Sequence, residues 1–296
     1  MRLALFDDYR LGRVSDDGAF IVDVTHVVPD HRADATSGWW RRLCADFGAL
    51  APGLREASGE SIPLADVRLL TPVLNPGKVI ACAVNYREHV EEMREQVLPR
   101  TGSDNSAWML QFDVFLKAPS SVVGPSDAIV LPDTLVRAGK EIHHESELTL
   151  VIGRGGSSIP ASEAMSHILG YTIGLDITER GEGDRSRRKS WDTFTPIGPW
   201  LTTADEVSDP GALMIHLEVD GAMRQHSSTA DMIVDVPGII AYASSVMRLE
   251  PGDVILTGAP AGVGEIHAGE VVEASIEGLG TLRVPVAAGI GAAAAH

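Results

Sequence analysis

The feature that most constrains this chain is a pair of apolar runs that carry carboxylates at their ends. His143-His144-Glu145-Ser146-Glu147 leads straight into Leu148-Thr149-Leu150-Val151-Ile152-Gly153. A second run, Gly170-Tyr171-Thr172-Ile173-Gly174-Leu175, ends in Asp176. Residues i and i+2 of a strand share a face, so Glu145 and Glu147 are expected to point the same way. Asp176 closes a β-like run that should be buried, where an uncompensated carboxylate is costly or shifts its pKa. A solvated strand face would also produce Glu-x-Glu. Three carboxylates from two buried strands instead suit an oxygen-preferring divalent cation, Mg²⁺ or Mn²⁺, with positions left open for water and substrate. His143 and His144 could hold Zn²⁺, but the flanking donors are hard oxygens, which favours a structural or supporting role for the imidazoles. The pattern points to a metal-dependent enzyme.

Composition narrows the setting. A chain of 296 residues with 44% hydrophobic content can build one large domain or a main domain with an appendage. Lys plus Arg number 24 against 41 Asp plus Glu, a formal charge of -17. Such a surface repels phosphate backbones, so nucleic acid is not an expected partner. Cys44 and Cys82 are the two cysteines, too few for a disulfide framework. Cys82 lies in the apolar run Val79 to Val84 and reads as a buried small hydrophobe. Charges interrupt the first residues too early for a signal peptide. No apolar run approaches the roughly 20 residues of a membrane span. A cytoplasmic protein without a membrane partner is the expectation.

The chain divides by punctuation. Residues 1–70 read as a small N-terminal α/β domain, with strands in Arg2 to Phe6 and Gly18 to Val24 and one helix over Trp39 to Leu50. Thr71-Pro72-Val73-Leu74-Asn75-Pro76-Gly77-Lys78 marks the boundary. Residues 71–290 read as the catalytic unit and 291–296 as a flexible tail. The strand Val79 to Val84 is followed by a helix with Asn85 as its N-cap and acidic residues in its early turns. The polar stretch Pro99 to Trp108, within a longer 94–113 region, reads as a lid. Short strands are expected at 113–117, 128–131, 148–152, 213–219, 254–256 and 271–276, with helices near 161–169 and 235–247. The fold class is α+β, mainly β.

Three further segments carry candidate chemistry. His89 and Glu92 are i and i+3 on the expected helix, where a carboxylate would orient an imidazole as a general base. An ordinary exposed helical pair has the same spacing. Arg180 to Ser190 holds four Arg and one Lys in an acidic chain. A self-paired loop accounts for some of them, and one or two could grip an anionic substrate beside the metal. Pro251 to Gly264 is a strand ending in a Gly/Pro-rich loop whose glycines allow close backbone approach, or simply a tight turn. It is neither a Walker loop nor a nucleophile elbow.

Taken in order, Lys78 to Met93, Phe115 to Pro119, His143 to Gly153, Gly170 to Arg180, Lys189 to Trp200 and Gly252 to Gly264 resemble the fumarylacetoacetate hydrolase family. The resemblance implies a mixed β-sandwich roll, a homodimer, and a small N-terminal domain as in longer members. It implies Glu145, Glu147 and Asp176 as ligands for one Mg²⁺ or Mn²⁺ per subunit. It makes His89 and Glu92 a catalytic dyad on a short helix that orders with substrate, and Lys189 the active-site lysine. Arg180, Lys189, Thr257 and Gly258 would contact a small anionic oxo acid. The implied reaction is hydrolysis of a carbon–carbon bond in a 1,3-dicarbonyl, acylpyruvate-type 2-oxo acid, as in catabolism of aromatic compounds. His89 would deprotonate the attacking water and Lys189 would stabilise developing negative charge. Keto–enol isomerisation of a hydroxymuconate- or hydroxyheptadienedioate-type diacid, hydration of an unsaturated oxo acid and oxaloacetate-type decarboxylation need the same enolate stabilisation. A non-catalytic scaffold on the same fold is the rival outside enzymology. Two departures bear on the substrate: Glu179-Arg180-Gly181 replaces the Ala-Arg-Asp of many members, and Glu182-Gly183-Asp184 lacks a glutamine that some carry.

Overall fold

The two apolar runs become neighbouring strands. In the computed structural model, which describes residues 1–97, 99 and 111–289, β10 (Ser146–Ile152) and β11 (Ile168–Leu175) are buried along their whole length. They pair antiparallel, with Ser146 opposite Leu175 and Glu147 opposite Gly174. Strands covered on both faces are expected to read as continuous apolar runs. These two lie at the heart of an 11-stranded sheet. Beyond β11 the sheet continues through β13 (Thr195–Thr203), β1 (Arg2–Phe6), β2 (Arg10–Val14), β3 (Phe20–Asp23) and β4 (Ser61–Pro63). Beyond β10 it continues through β16 (Val254–Leu256), β5 (Val79–Ala83) and β6 (Asp113–Lys117). A short strand, β7 (Val122–Val123), pairs with β13 off this path. The β16–β5 pair is parallel, so the sheet is mixed.

A second sheet orders β15 (Ala222–Ser228), β14 (Met214–Val219), β18 (Val271–Ile276), β19 (Gly280–Ala288) and β8 (Ile129–Leu131). In β14 every second residue is buried, the alternation of a sheet with one face on the core. The third sheet is small: β12 (Thr178–Glu179), β9 (Ile142–His144) and β17 (Gly264–Glu265). Leu148, Leu150 and Ile173 from the large sheet meet Leu217, Val272 and Leu282 from the second in one core. The α-helices among the described residues are α1 (Trp39–Ala45), α2 (Phe47–Glu56), α3 (Arg87–Glu92), α4 (Asp133–Arg137), α5 (Arg185–Lys189) and α6 (Val236–Val246). This is the α+β, mainly β architecture expected from the strand pattern.

Local expectations fail where tertiary pairing overrides them. The single helix over Trp39 to Leu50 is two, because Asp46 leaves helical geometry at φ -100° and ψ 11°. The bend lets α1 bury Trp39, Trp40, Leu43 and Cys44 while α2 buries Ala51 and Leu54. The helix expected at 161–169 is only a 3₁₀ turn, Ala164–His167, after which β11 begins at Ile168. Pairing of Ile168 with Ile152 outweighs the local helical pattern there. The helix after β5 starts at Arg87 with Tyr86 in the cap position. Asn85 does not cap it, because its side chain is engaged elsewhere.

The residues before and after position 70 share both sheet and core. β1 pairs with β13, Arg2 opposite Thr202 and Leu3 opposite Leu201. Leu3, Trp39 and Leu43 pack in one cluster with Val79, Val151 and Val254. Cys44 and Cys82 are both buried free thiols. Residues 100–108 of the expected lid and the 291–296 tail lie outside the described residues. Leu150 is fully buried and pairs with Tyr171 on one side and Ile255 on the other. Leu150→Ala should therefore cost about 2–5 kcal/mol, read from urea unfolding. A cost no greater than that of a surface change, about 0.5 kcal/mol, would contradict the central placement of β10.

Candidate metal centre

Pairing of β10 with β11 sets the site. Because Ser146 faces Leu175, the residues just outside that pair meet: Asp176 N donates to Glu145 O at 2.8 Å. Glu145 and Glu147 do not share one regular strand as the i, i+2 pattern suggested. β9 ends at His144 and β10 begins at Ser146, so Glu145 sits in the interruption. Ligand oxygens of Glu145, Glu147 and Asp176 nonetheless all lie within 4.8 Å of one another, and all three residues are buried.

Cations surround two of the three. Lys189, from α5, places Nζ 2.6 Å from Glu145 Oε2 and 2.5 Å from Asp176 Oδ2. Lys117, from the edge strand β6, donates to Asp176 Oδ1 at 2.5 Å and to Phe194 O at 2.8 Å. Arg180 Nη2 donates to Glu145 Oε1 at 2.6 Å. Burial alone would raise the Glu145 carboxyl, but Lys189 and Arg180, with His89 adding to them, hold it well below the usual carboxylate range. Glu147 differs. It accepts a hydrogen bond from Gly258 N at 2.5 Å and has no ion pair among the described residues. Burial, then repulsion from Asp176, pushes its carboxyl well above the ordinary value, against the pull of Lys189. A buried all-oxygen donor set with one uncompensated member fits a hard divalent cation such as Mg²⁺ or Mn²⁺. The two histidines stand outside it. His143 Nε2 lies 2.9 Å from Glu141 Oε2. Burial lowers both His143 and His144 to about 4, and no imidazole nitrogen joins the carboxylate cluster among the described residues.

His89 and Glu92 come together as the spacing allowed. Nδ1 of His89 is 3.1 Å from Glu92 Oε2, and His89 is buried. The second oxygen of Glu92 accepts from Gly262 N at 3.0 Å. Asn85 holds the start of this segment, donating through Nδ2 to Thr257 O at 2.8 Å and Val234 O at 2.9 Å and accepting from Val234 N at 2.8 Å. Just before it, Val84 adopts φ 59°, a conformation that costs a β-branched residue about 1–3 kcal/mol and is kept where structure over-determines it. The loop after β16 thus meets both groups. Gly258 touches Glu147, Gly262 touches Glu92, and the Thr257 hydroxyl donates to Leu148 O at 2.9 Å.

The basic cluster is mostly spent internally. Arg187 Nη2 donates to Glu179 Oε1 at 3.1 Å, and Arg188 Nη1 to Glu179 O at 2.9 Å. Arg185 and Lys189 both lie over the Phe115 ring, 5.6 and 5.4 Å from its centroid. Sequence reasoning gave no role at the site to four contributors: Lys117, Asn85, Glu179 and Gln225. Lys117 was signalled by a lone lysine closing the strand Val114-Phe115-Leu116. Gln225, which accepts from Ser146 N at 2.9 Å and donates to Pro260 O at 2.8 Å, has no sequence signal in its polar strand.

A family model described as fumarylacetoacetate (FAA) hydrolase C-terminal matches residues 78–287. The chain belongs to the fumarylacetoacetate hydrolase family. A maleylpyruvate hydrolase of Aquipseudomonas alcaligenes is 37% identical over 292 residues, 97% of this chain and 99% of that protein. The crystal structure of maleylpyruvate hydrolase from Sphingobium sp. SYK-6, in complex with manganese(II) ion and pyruvate, is 40% identical with a TM-score of 0.85. The match covers 98% of this chain and 100% of that one. A 2-hydroxyhepta-2,4-diene-1,7-dioate isomerase from Mycobacterium marinum is 35% identical with a TM-score of 0.72, covering 97% of this chain and 98% of that one.

Lys117 is 2% exposed and bonded to an equally buried Asp176. Breaking a buried ion pair from one side leaves a charge uncompensated, so Lys117→Met should destabilise the metal-free protein by about 3–5 kcal/mol. Chemical denaturation measures this, and an unchanged midpoint would show that Lys189 alone suffices for Asp176.

Proposed function

We propose that this protein is a Mg²⁺- or Mn²⁺-dependent hydrolase that cleaves a carbon–carbon bond in an acylpyruvate-type 2-oxo acid, in the catabolism of aromatic or related compounds. The observation that carries this reading is the loop after β16, which bonds Glu147 through Gly258 and Glu92 through Gly262. One short segment therefore sets the carboxylate cluster and the His89–Glu92 pair beside each other. Full-length similarity to maleylpyruvate hydrolases supports the same conclusion.

Glu145, Glu147 and Asp176 would hold one cation per subunit, which when bound supplies Lewis acidity for the oxo-acid end of the substrate and for the enolate charge left on cleavage. The chain's own residues do the rest. With His89 Nδ1 donating to Glu92, Nε2 carries the lone pair and takes the proton of the water that attacks the distal carbonyl. Lys189, already between Glu145 and Asp176, offers a positive charge to the developing oxyanion. Arg180, Lys189, Thr257 and Gly258 are assigned to the substrate's anionic end. Arg180 and Gly258 act from beside Glu145 and Glu147, whose oxygens they hold. The chemistry is assigned to residues 71–290, with 1–70 as the smaller N-terminal unit. No helix among the described residues is long and apolar enough to cross a membrane. Two cysteines, too few for a disulfide framework, suit a reducing cytoplasmic setting, and the family resemblance suits a homodimer.

One second reading has a specific observation behind it. The isomerase from Mycobacterium marinum aligns over nearly the whole chain, and keto–enol isomerisation needs the same enolate without the water. Product identification by NMR separates the two: pyruvate plus a carboxylic acid for hydrolysis, an isomer of unchanged mass for isomerisation. With an acylpyruvate and Mn²⁺, pyruvate and acid are expected. His89→Ala should lower kcat by about 10²–10⁴-fold while Mn²⁺ binding by calorimetry stays normal. A near-normal kcat would remove His89 from the mechanism.

The raised Glu147 carboxyl fixes the sign of a pH effect. In the metal-free protein it keeps a proton over a range where an ordinary glutamate has lost one. A cation requires the carboxylate, so Mn²⁺ affinity should rise with pH and level off above the raised value, with proton release inside the range. Calorimetry in buffers of different ionisation enthalpy measures that proton. Glu147→Ala should abolish Mn²⁺ binding, and an unchanged titration would refute the ligand assignment.

A further inference from the structure

We propose that Glu179 is a positioning residue, which clamps α5 so that Lys189 reaches the carboxylate cluster; this rests on the active role given above to Lys189. Glu179 lies in β12, opposite Ile142 of β9, three residues before Glu145 in the chain. It is 2% exposed. Its carboxylate accepts from Arg187 Nη2 at Oε1, 3.1 Å, and from Trp191 Nε1 at Oε2, 2.9 Å. Its backbone oxygen accepts from Arg188 Nη1 at 2.9 Å. All three donors belong to α5 or to the residue just beyond its C-cap, and they bracket Lys189 on both sides.

The helix needs such an anchor. α5 spans five residues, Arg185–Lys189, far below the length at which a helix is stable by itself. Its N-terminus is capped by Asp184, whose Oδ1 accepts from Arg187 N at 3.0 Å. That bond fixes the first turn but not the direction of the helix. Direction comes from bonds to a part of the fold that does not move with it. Glu179 supplies these from the strand pair that also delivers Glu145. Both ends of the Lys189 Nζ to Glu145 Oε2 contact are therefore referred to one local frame. The Arg187 guanidinium is half-exposed, so its attraction to Glu179 is screened and worth little as stability. The Trp191 bond comes from a ring partly buried against the core and, at 2.9 Å against 3.1 Å, is the shorter of the two. The geometry thus assigns Glu179 to aiming more than to holding the fold together.

The test is a double-mutant cycle on the Mn²⁺-loaded full chain, with an acylpyruvate that the wild-type protein turns over. Glu179→Ala should lower kcat about ten- to a hundred-fold, the scale of a misplaced catalytic group, with KM changed less than kcat and Mn²⁺ affinity nearly unchanged. In a Lys189→Ala background, followed in single turnover, the same substitution should cost nothing further, because the group it aims is gone. Equal losses in both backgrounds, or no loss in the wild-type background, would overturn the clamp. If Lys189→Ala itself keeps wild-type kcat, the role of Lys189 fails first, which is a separate result. Should Glu179→Ala not fold, Trp191→Phe keeps the ring and deletes only the Nε1 donor. It should show a smaller kcat loss that again vanishes with Lys189→Ala, and a loss that persists there would refute the proposal.

Discussion

Three carboxylates held out of water within one cluster impose a cost that everything around them must offset. Taking such groups out of water costs several kcal/mol each even after relaxation, and mutual repulsion adds to it. The fold answers with Lys117, Lys189 and Arg180, each bonded to Glu145 or Asp176. These three cations arrive from different places: the edge strand β6, the short helix α5 and the segment after β12. Their convergence ties distant parts of the chain to one point. The compensation is also uneven. Glu147 receives a backbone N–H and no ion pair among the described residues, so the cluster retains the affinity for a cation that a fully paired set would lose.

The loop following β16 links this electrostatic problem to the acid–base pair. Gly258 at φ 96° brings its N–H to Glu147, a conformation suited to glycine. A Cβ there would also collide with Asn85. Asn85 in turn grips the carbonyl of Thr257 and orders the entry to α3. The strained Val84 immediately before it shows that the chain is bent to deliver this arrangement. His89 is thus positioned by bonds that begin at the metal site, though its own element contributes none of the cluster's ligands.

Much of this was legible beforehand. Continuous burial of β10 and β11 follows from their apolar composition, and carboxylates at the ends of such strands demanded an explanation. Spacing allowed the Glu145–Glu147–Asp176 cluster and the His89–Glu92 contact but left a solvated face and an ordinary helical pair open, and it was the family resemblance that implied both. What spacing misjudged was local. Glu145 stands in a break between strands, Asn85 ties a loop and does not cap a helix, and the 161–169 segment yields to sheet pairing. Lys117 was visible as a lone charge closing an apolar strand, but its partner lies 59 residues away, beyond any local pattern. Gln225 bonds Ser146 and Pro260, 79 and 35 residues away, which only the folded register brings within reach. Burial and charge are readable in one dimension, whereas side-chain partnerships across sheets are not.

The position of β6 carries a consequence for how the two halves of the centre move together. The strand ends in Lys117, which is fastened to Asp176, while α3, which bears His89, is fastened through Glu92 to Gly262. β6 pairs with β5 along its length, Lys117 opposite Val79 and Asp113 opposite Ala83, and β5 leads directly into the segment that carries His89. A slip in this one strand pairing would therefore displace the charge that compensates Asp176 and the approach to the imidazole at the same time.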